Sequence, residues 1–145
     1  MTDIHEIAFW EDKTALILRS SSRTLPYIFF TSIRKKENGE WEKPSKKEGK
    51  VIKIDLKEII CLLEVLQQEL EEWRGYHIYK QESTEIYSHW QDKSKTVFVF
   101  EIGDYEINLK FPDTKLLALL LDHILLEKIE YATSGSTESK ILNDD

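Results

Sequence analysis

Residues 33–59 read IRKKENGEWEKPSKKEGKVIKIDLKEI. A strand runs into a basic loop holding one Trp, one Pro and two Gly, a short apolar strand follows, and a helix then opens on a capping signal. Asp55 supplies the cap and Glu58 lies three positions later, the spacing of a capping box. Between Ile33 and Lys53 stand eight Lys/Arg and four Glu, a local net of +4; the chain as a whole is −7, so the remainder carries −11. Positive charge gathered on one hairpin of an acidic protein marks a place for an anionic partner. The interspersed Glu also permit a plain solvated surface. Asn38-Gly39 is the strongest short turn signal in the loop.

Upstream, the pattern predicts strands over 6–12 and 14–20, turning at Glu11-Asp12-Lys13. A polar loop over 20–26 precedes a third strand over 27–34, rich in aromatic and β-branched residues. Residues 51–54 form the fourth. The apolar stripe Leu56, Ile59, Ile60, Leu63, Leu66, Leu70, Trp73 keeps helical period, with Gly75 as its stop. Strands over 84–90, 95–101 and 105–111 come next, Gly103-Asp104 turning the last two. Pro112-Asp113 opens a second helix ending near Ile129. The expected architecture is α+β: twisted antiparallel sheets with two helices packed on one face, in the order β-β-β-β-α-β-β-β-α. Without βαβ alternation, a parallel nucleotide-binding sheet is not expected. Residues 1–131 form one domain, and 132–145 (ATSGSTESKILNDD) a disordered polar tail.

The chain has 145 residues, 41% hydrophobic and 32% charged, enough for one soluble domain with a substantial core. The Lys/Glu-rich balance is of the kind common in thermophile proteins. The longest apolar run, Leu116–Leu121, is far short of a bilayer span. No signal peptide is visible, and one cysteine makes no internal disulfide, so a cytoplasmic location is the default expectation.

Catalytic signals are sparse. His5, His77, His89 and His123 lack metal-site spacing and a partner Cys pair, so structural or surface roles and no metal are expected. Cys61 sits on the amphipathic helix beside Ile60 and Leu62, where a thiol packs as a small apolar group. Neither a phosphate-binding glycine loop nor a nucleophile elbow occurs. No enzyme and no cofactor are expected.

Binding signals are richer. Four Trp, six Tyr and six Phe occur, many of them on strands. Strand alternation puts Tyr27, Phe29, Thr31 and Ile33 on one face and Ile28, Phe30, Ser32 and Arg34 on the other. Two helices cover one face of a sheet, which leaves aromatics on the face opposite. Rings beside lysines and arginines suit single-stranded nucleic acid, whose bases stack while its phosphates follow cations. For any one ring, a place in the core is the ordinary alternative. Trp41, among charged loop residues, serves either contact or loop packing.

Residues 33–66 resemble the core signature of the single-strand-binding coactivator family called positive cofactor four. The matching positions are Ile33-Arg34, Gly39-Glu40, Trp41, Lys43-Pro44, Lys46-Lys47, Gly49 and Val51 to Leu56, about 35 residues in all. Glu48 is inserted between the basic pair and Gly49. Larger relatives, the Whirly and Pur-alpha types, repeat a sheet-plus-helix unit twice, and the element order here is similar to that plan. The archaeal ThermoDBP proteins are a further possible home. The resemblance implies binding of single-stranded DNA, or RNA, through Arg34, Trp41, Lys43, Lys46 and Lys47. Lys35, Lys36 and Lys53 extend that basic surface, and Tyr27, Phe29, Trp10 and Trp90 are the accompanying aromatic candidates. The second half has no matching basic motif.

The second helix carries more leucine than one face needs. Leu117, Leu120, Leu121, Ile124 and Leu125 form the stripe for the sheet, while Leu119 and Leu126 point elsewhere at heptad spacing. With His123 they form a candidate homodimer interface; burial under the chain's own loops is the alternative. A protein-interaction module using the acidic surface and this helix is the competing function, and a hidden enzyme a weaker third.

Overall fold

The computed structural model describes residues 4–79 and 81–133. Eight strands and two helices alternate as β1 (His5–Trp10), β2 (Thr14–Ser20), β3 (Tyr27–Arg34), β4 (Lys50–Asp55), α1 (Leu56–Leu66), β5 (Glu72–Tyr79), β6 (Glu82–Trp90), β7 (Phe98–Ile102), β8 (Tyr105–Leu109) and α2 (Asp113–Thr133). They form two four-stranded antiparallel meanders, β1-β2-β3-β4 and β5-β6-β7-β8. The architecture is the expected α+β class with one additional strand.

Register sorts the side chains. In the first sheet Leu18 pairs with Phe30 and Phe30 with Ile52, all buried, while Arg19 pairs with Phe29 and Phe29 with Lys53 on the opposite face. In the second sheet Trp73, Ser88, Phe100 and Ile107 make one inward row. The inward faces meet where the Phe30 ring stands edge-on to Phe100, centroids 5.1 Å apart. Such an edge pair adds about 0.5–1.5 kcal/mol beyond the area it buries. Ile59, Leu62, Leu63 and Val65 of α1 and Leu117, Leu121 and Ile124 of α2 complete the same core. Among the described residues each sheet therefore keeps one outward face uncovered by a helix.

The capping box forms as the sequence predicts: Glu58 N–H donates to Asp55 Oδ1 (2.9 Å) and Asp55 N–H to Glu58 Oε1 (3.2 Å). The helix behind it is shorter than its apolar stripe predicts. It ends at Leu66, and Gln68 turns into the left-handed region at φ 65°. Leu70 is exposed and Trp73 belongs to β5. The segment EWRGYHIY pairs along its whole length with β6. Strand pairing thus overrides a helical stripe that had lost its density beyond Leu66. Gly75 is no helix stop. It lies mid-strand beneath the Trp73 indole, where an added Cβ would sit 2.8 Å from the ring. The seventh strand begins at Phe98, later than the expected 95, after Lys95 adopts φ 53°.

Helix α2 buries Leu117, Leu121, Ile124, Leu125 and the stem of Lys128, whose Nζ donates to the Ser22 and Leu25 carbonyls at 2.7 Å each. That lysine closes the loop between β2 and β3. The helix continues through Ala132 and Thr133, so the expected tail does not begin at 132; the rest of it lies outside the described residues. Among the described residues no helix is long and apolar enough to cross a membrane.

Candidate nucleic-acid interface

The outward face of the β1–β4 sheet is built by three register rows. Glu6, Arg19, Phe29 and Lys53 form the first; Ala8, Ile17, Thr31 and Val51 the second; Trp10, Ala15 and Ile33 the third. Tyr27 extends the first row's end and stands edge-on to Phe29 at 5.5 Å. Lys53 Nζ lies 4.7 Å from the Tyr27 ring centroid, a cation–π distance. At the other end Trp10 meets Trp41 edge-on at 5.0 Å. A rise of about 3.3 Å per residue separates Phe29 from Ile33, and so one aromatic pair from the other, by roughly 13 Å. Trp10 is 57% exposed and Val51 52%, so the face carries accessible apolar surface between its ring pairs.

The basic loop folds back over the third row. Its Asn38-Gly39 turn does not join β3 to β4; it closes a small hairpin within the loop, through Gly39 N–H to Lys36 O (2.9 Å) and a Lys35–Trp41 bridge. Beyond it, Pro44–Lys46 make one 3-10 turn and Gly49 presses against the sheet at φ +85°. A Cβ on Gly49 would lie 2.8 Å from the Ser32 carbonyl oxygen. Only glycine suits both that backbone and that contact. This packing buries Ala15 and Ile33 although their register faces outward.

The loop cations divide into two groups. Lys36 is held by Glu48 at 2.5 Å; that hydrogen bond raises the lysine pKa and lowers the glutamate's. Arg34 points to the inward side. It lies 3.8 Å over the Tyr105 ring, donates to the Asp104 carbonyl at 2.6 Å and pairs with that residue's carboxylate at 3.2 Å. Beside it the Tyr105 hydroxyl donates to both Glu42 oxygens (3.0 and 3.2 Å), and Glu42 also accepts from Arg34 N–H at 2.8 Å. Burial, with the Glu42 hydrogen bond second, pushes the Tyr105 hydroxyl up to about 12. Arg34, Tyr105 and Glu42 thus clamp the loop to the second sheet. Lys35, Lys43, Lys46, Lys47 and Lys53 have no ion-pair partner among the described residues, and all five are exposed. Lys35 Nζ is 6.0 Å from the Trp41 centroid.

Trp90 stands apart from this face. Its register is inward, its ring packs on Phe98 at 5.5 Å and its Nε1–H donates to the Val65 carbonyl at 2.7 Å. It anchors α1 to the second sheet. Sequence reasoning missed the β5–β6 hairpin, whose His77, Ile78, Glu82 and Thr84 form one wall of an open cleft of about 630 Å³; Tyr27, Phe29, Val51 and Lys53 line the other. Its sequence signal was weak, because the polar–apolar alternation of Glu72-Trp73-Arg74 changes phase at Gly75 and leaves Tyr76 and Ile78 exposed with Glu72 and Arg74. Leu119 and Leu126 are 57% and 59% exposed on α2, and Leu116 joins them. His123 is exposed as well, but its nearest polar neighbours are His5 and Glu127 rather than open solvent alone.

These features define an α+β protein of two antiparallel four-stranded sheets and two helices, with one outward face aromatic and bordered by lysines. No family model and no curated protein matches the chain. Among solved structures, that of WHY3 from Arabidopsis thaliana is similar over 89% of this chain and 90% of its own, at TM-score 0.67 and 10% identity. The fold is Whirly-like.

Proposed function

We propose that this chain is a sequence-tolerant binder of single-stranded nucleic acid, DNA before RNA, acting as a homodimer in the cytoplasm. The observation that carries the reading is the outward β1–β4 face. It sets Trp10–Trp41 and Tyr27–Phe29 at its two ends, and its bordering lysines carry no ion pair among the described residues. Bases stack on the rings and slot into the cleft beside Phe29, while the backbone follows Lys43, Lys46, Lys47 and Lys53. Fold similarity to a Whirly structure supports the family plan that the signature over residues 33–66 resembles. Arg34 and Lys36 act as braces that hold the loop, and Trp90 as a core anchor. Leu116, Leu119 and Leu126 supply the dimer contact, which would bring two binding faces onto one strand and raise avidity.

The test is a salt titration of a labelled single strand. About four phosphate contacts predict a slope of log K against log salt near −3. Failure to bind any oligonucleotide at about 50 mM salt, where such contacts are strongest, overturns the proposal.

A further inference from the structure

We propose that His5, His123 and Glu127 form a binding site for a divalent transition metal, zinc by its chemistry, where β1 meets α2. The site is independent of the nucleic-acid face. Its three ligand atoms lie within 4.8 Å of one another. Glu127 presents one oxygen to each imidazole: Oε1 is 3.1 Å from His5 Nε2 and Oε2 is 3.8 Å from His123 Nε2. A tetrahedral zinc ion with bonds of about 2.0–2.1 Å sets neighbouring ligand atoms roughly 3.3–3.4 Å apart. The His5–Glu127 separation is near that value, and with all three ligand atoms within 4.8 Å a side-chain rotation of the exposed His123 toward the same oxygen would close the set. The imidazole rings already stand at 87° with centroids 5.2 Å apart, which lets both nitrogens turn toward one point without stacking.

The scaffold fixes this geometry. His123 and Glu127 are one helical turn apart on α2 and share a face. His5 opens the edge strand β1, 122 positions from Glu127 in sequence. Opposite His5 in the register lies Ser20, fully buried, whose hydroxyl has no hydrogen-bond partner among the described residues. Two imidazoles and one carboxylate match zinc and its borderline neighbours, whereas calcium and magnesium require oxygen throughout. Three protein donors leave one coordination position open to water.

The other histidines show what distinguishes this place. His77 pairs with Glu58 at 2.7 Å and His89 with Glu101 at 3.1 Å, and neither pair gathers a third ligand among the described residues. Pairing of a histidine with a glutamate is common in this chain; convergence of three is not. The bound ion would staple the first strand to the last helix and so stabilise the folded state.

Calorimetric titration of the metal-free full chain with zinc chloride tests the proposal. One zinc per chain is expected, with thermal denaturation raised by roughly 5–10 °C at about a hundred times the dissociation constant. Magnesium should produce neither effect. His123→Ala, at an exposed position, should weaken zinc binding more than about tenfold, since even outer partners of ligands cost that much. Glu127→Gln should do the same, and His89→Ala should leave binding unchanged. Cobalt should give the intense visible bands of a four-coordinate site in the wild-type chain and lose them in His123→Ala. Zinc binding equal in the wild-type chain and in His123→Ala, or no binding in either, overturns the assignment.

Discussion

The two sheets share a strand count, a meander order and a helix following each in the chain, yet their outward faces differ in chemistry. On β1–β4 the register rows collect Tyr27, Phe29, Trp10 and Val51, with Lys53 at the edge and the lysine loop across one end. On β5–β8 they collect Glu72, Glu85, Glu101 and Glu106 around Arg74, His89 and Tyr87. The cation and rings of the second face are already taken. Arg74 lies 3.6 Å over Tyr87 and pairs with Glu85 at 2.5 Å, Tyr87 stacks on His89 at 4.1 Å, and its hydroxyl donates to Glu72. On the first face rings also pair and Lys53 lies over Tyr27, but its lysines carry no ion pair among the described residues, whereas the second face is lined by glutamates and its Arg74 is held by Glu85. A repeated fold does not repeat a surface; side chains at outward register positions make the two faces chemically different, and the proposed function assigns binding to the first.

The largest expected effect comes from removing the charge that separates the faces. Lys43→Ala, Lys46→Ala and Lys47→Ala together should flatten the salt slope by about 2. An unaltered slope would move the electrostatic contact elsewhere. Removing a stacking ring should come next: Trp41→Ala should weaken binding by about 1–3 kcal/mol at constant salt. Equal affinity with intact circular dichroism would leave Trp41 as loop packing alone. The equivalent cut on the other sheet, Tyr87→Ala, should change affinity by less than about 0.5 kcal/mol, as a surface change away from the contact does. A larger loss would erase the contrast between faces.

Two further outcomes concern how the loop is held on the first face. Gly49→Ala should destabilise the fold by about 1–3 kcal/mol in urea denaturation, through left-handed strain and the Ser32 contact. Wild-type stability would mean the loop shifts freely. The smallest effect is at high pH. The Tyr105 hydroxyl titrates above its ordinary value in the folded protein, so its contribution is complete below pH 10 and lost as pH rises toward about 12. Tyr105→Phe should remove that segment of the stability profile; an unchanged profile would detach the tyrosine from the loop clamp.

Much of the fold was legible because local signals agreed with tertiary ones. The alternation in residues 27–34 and the Asp55–Glu58 box each had one satisfying structure, and both formed. Residues 67–79 were misread because Leu70 and Trp73 continued a helical stripe, while the pairing that makes β5 depends on a β6 partner that comes later in the chain. The candidate site was legible in part for the same reason. Face alternation separated Tyr27 and Phe29 from Phe30, and the same rule put Arg34 on the inward side. Trp90 was misplaced because an aromatic at a strand end carries no mark of its face until the register is known. The cleft beside Phe29 and the meeting of His5 with α2 are products of long-range packing, which no local spacing encodes.

Photo-crosslinking tests the central claim most directly. A single strand carrying a photoreactive base is bound at low salt, irradiated, and the modified peptides are mapped by mass spectrometry. Adducts are predicted on Trp10, Tyr27, Phe29 and Trp41, with Tyr87 and the exposed Tyr76, which pairs with Glu85 on the β5–β8 sheet, left unmodified. Adducts concentrated on Tyr76 or Tyr87 would contradict the assignment of binding to the β1–β4 face.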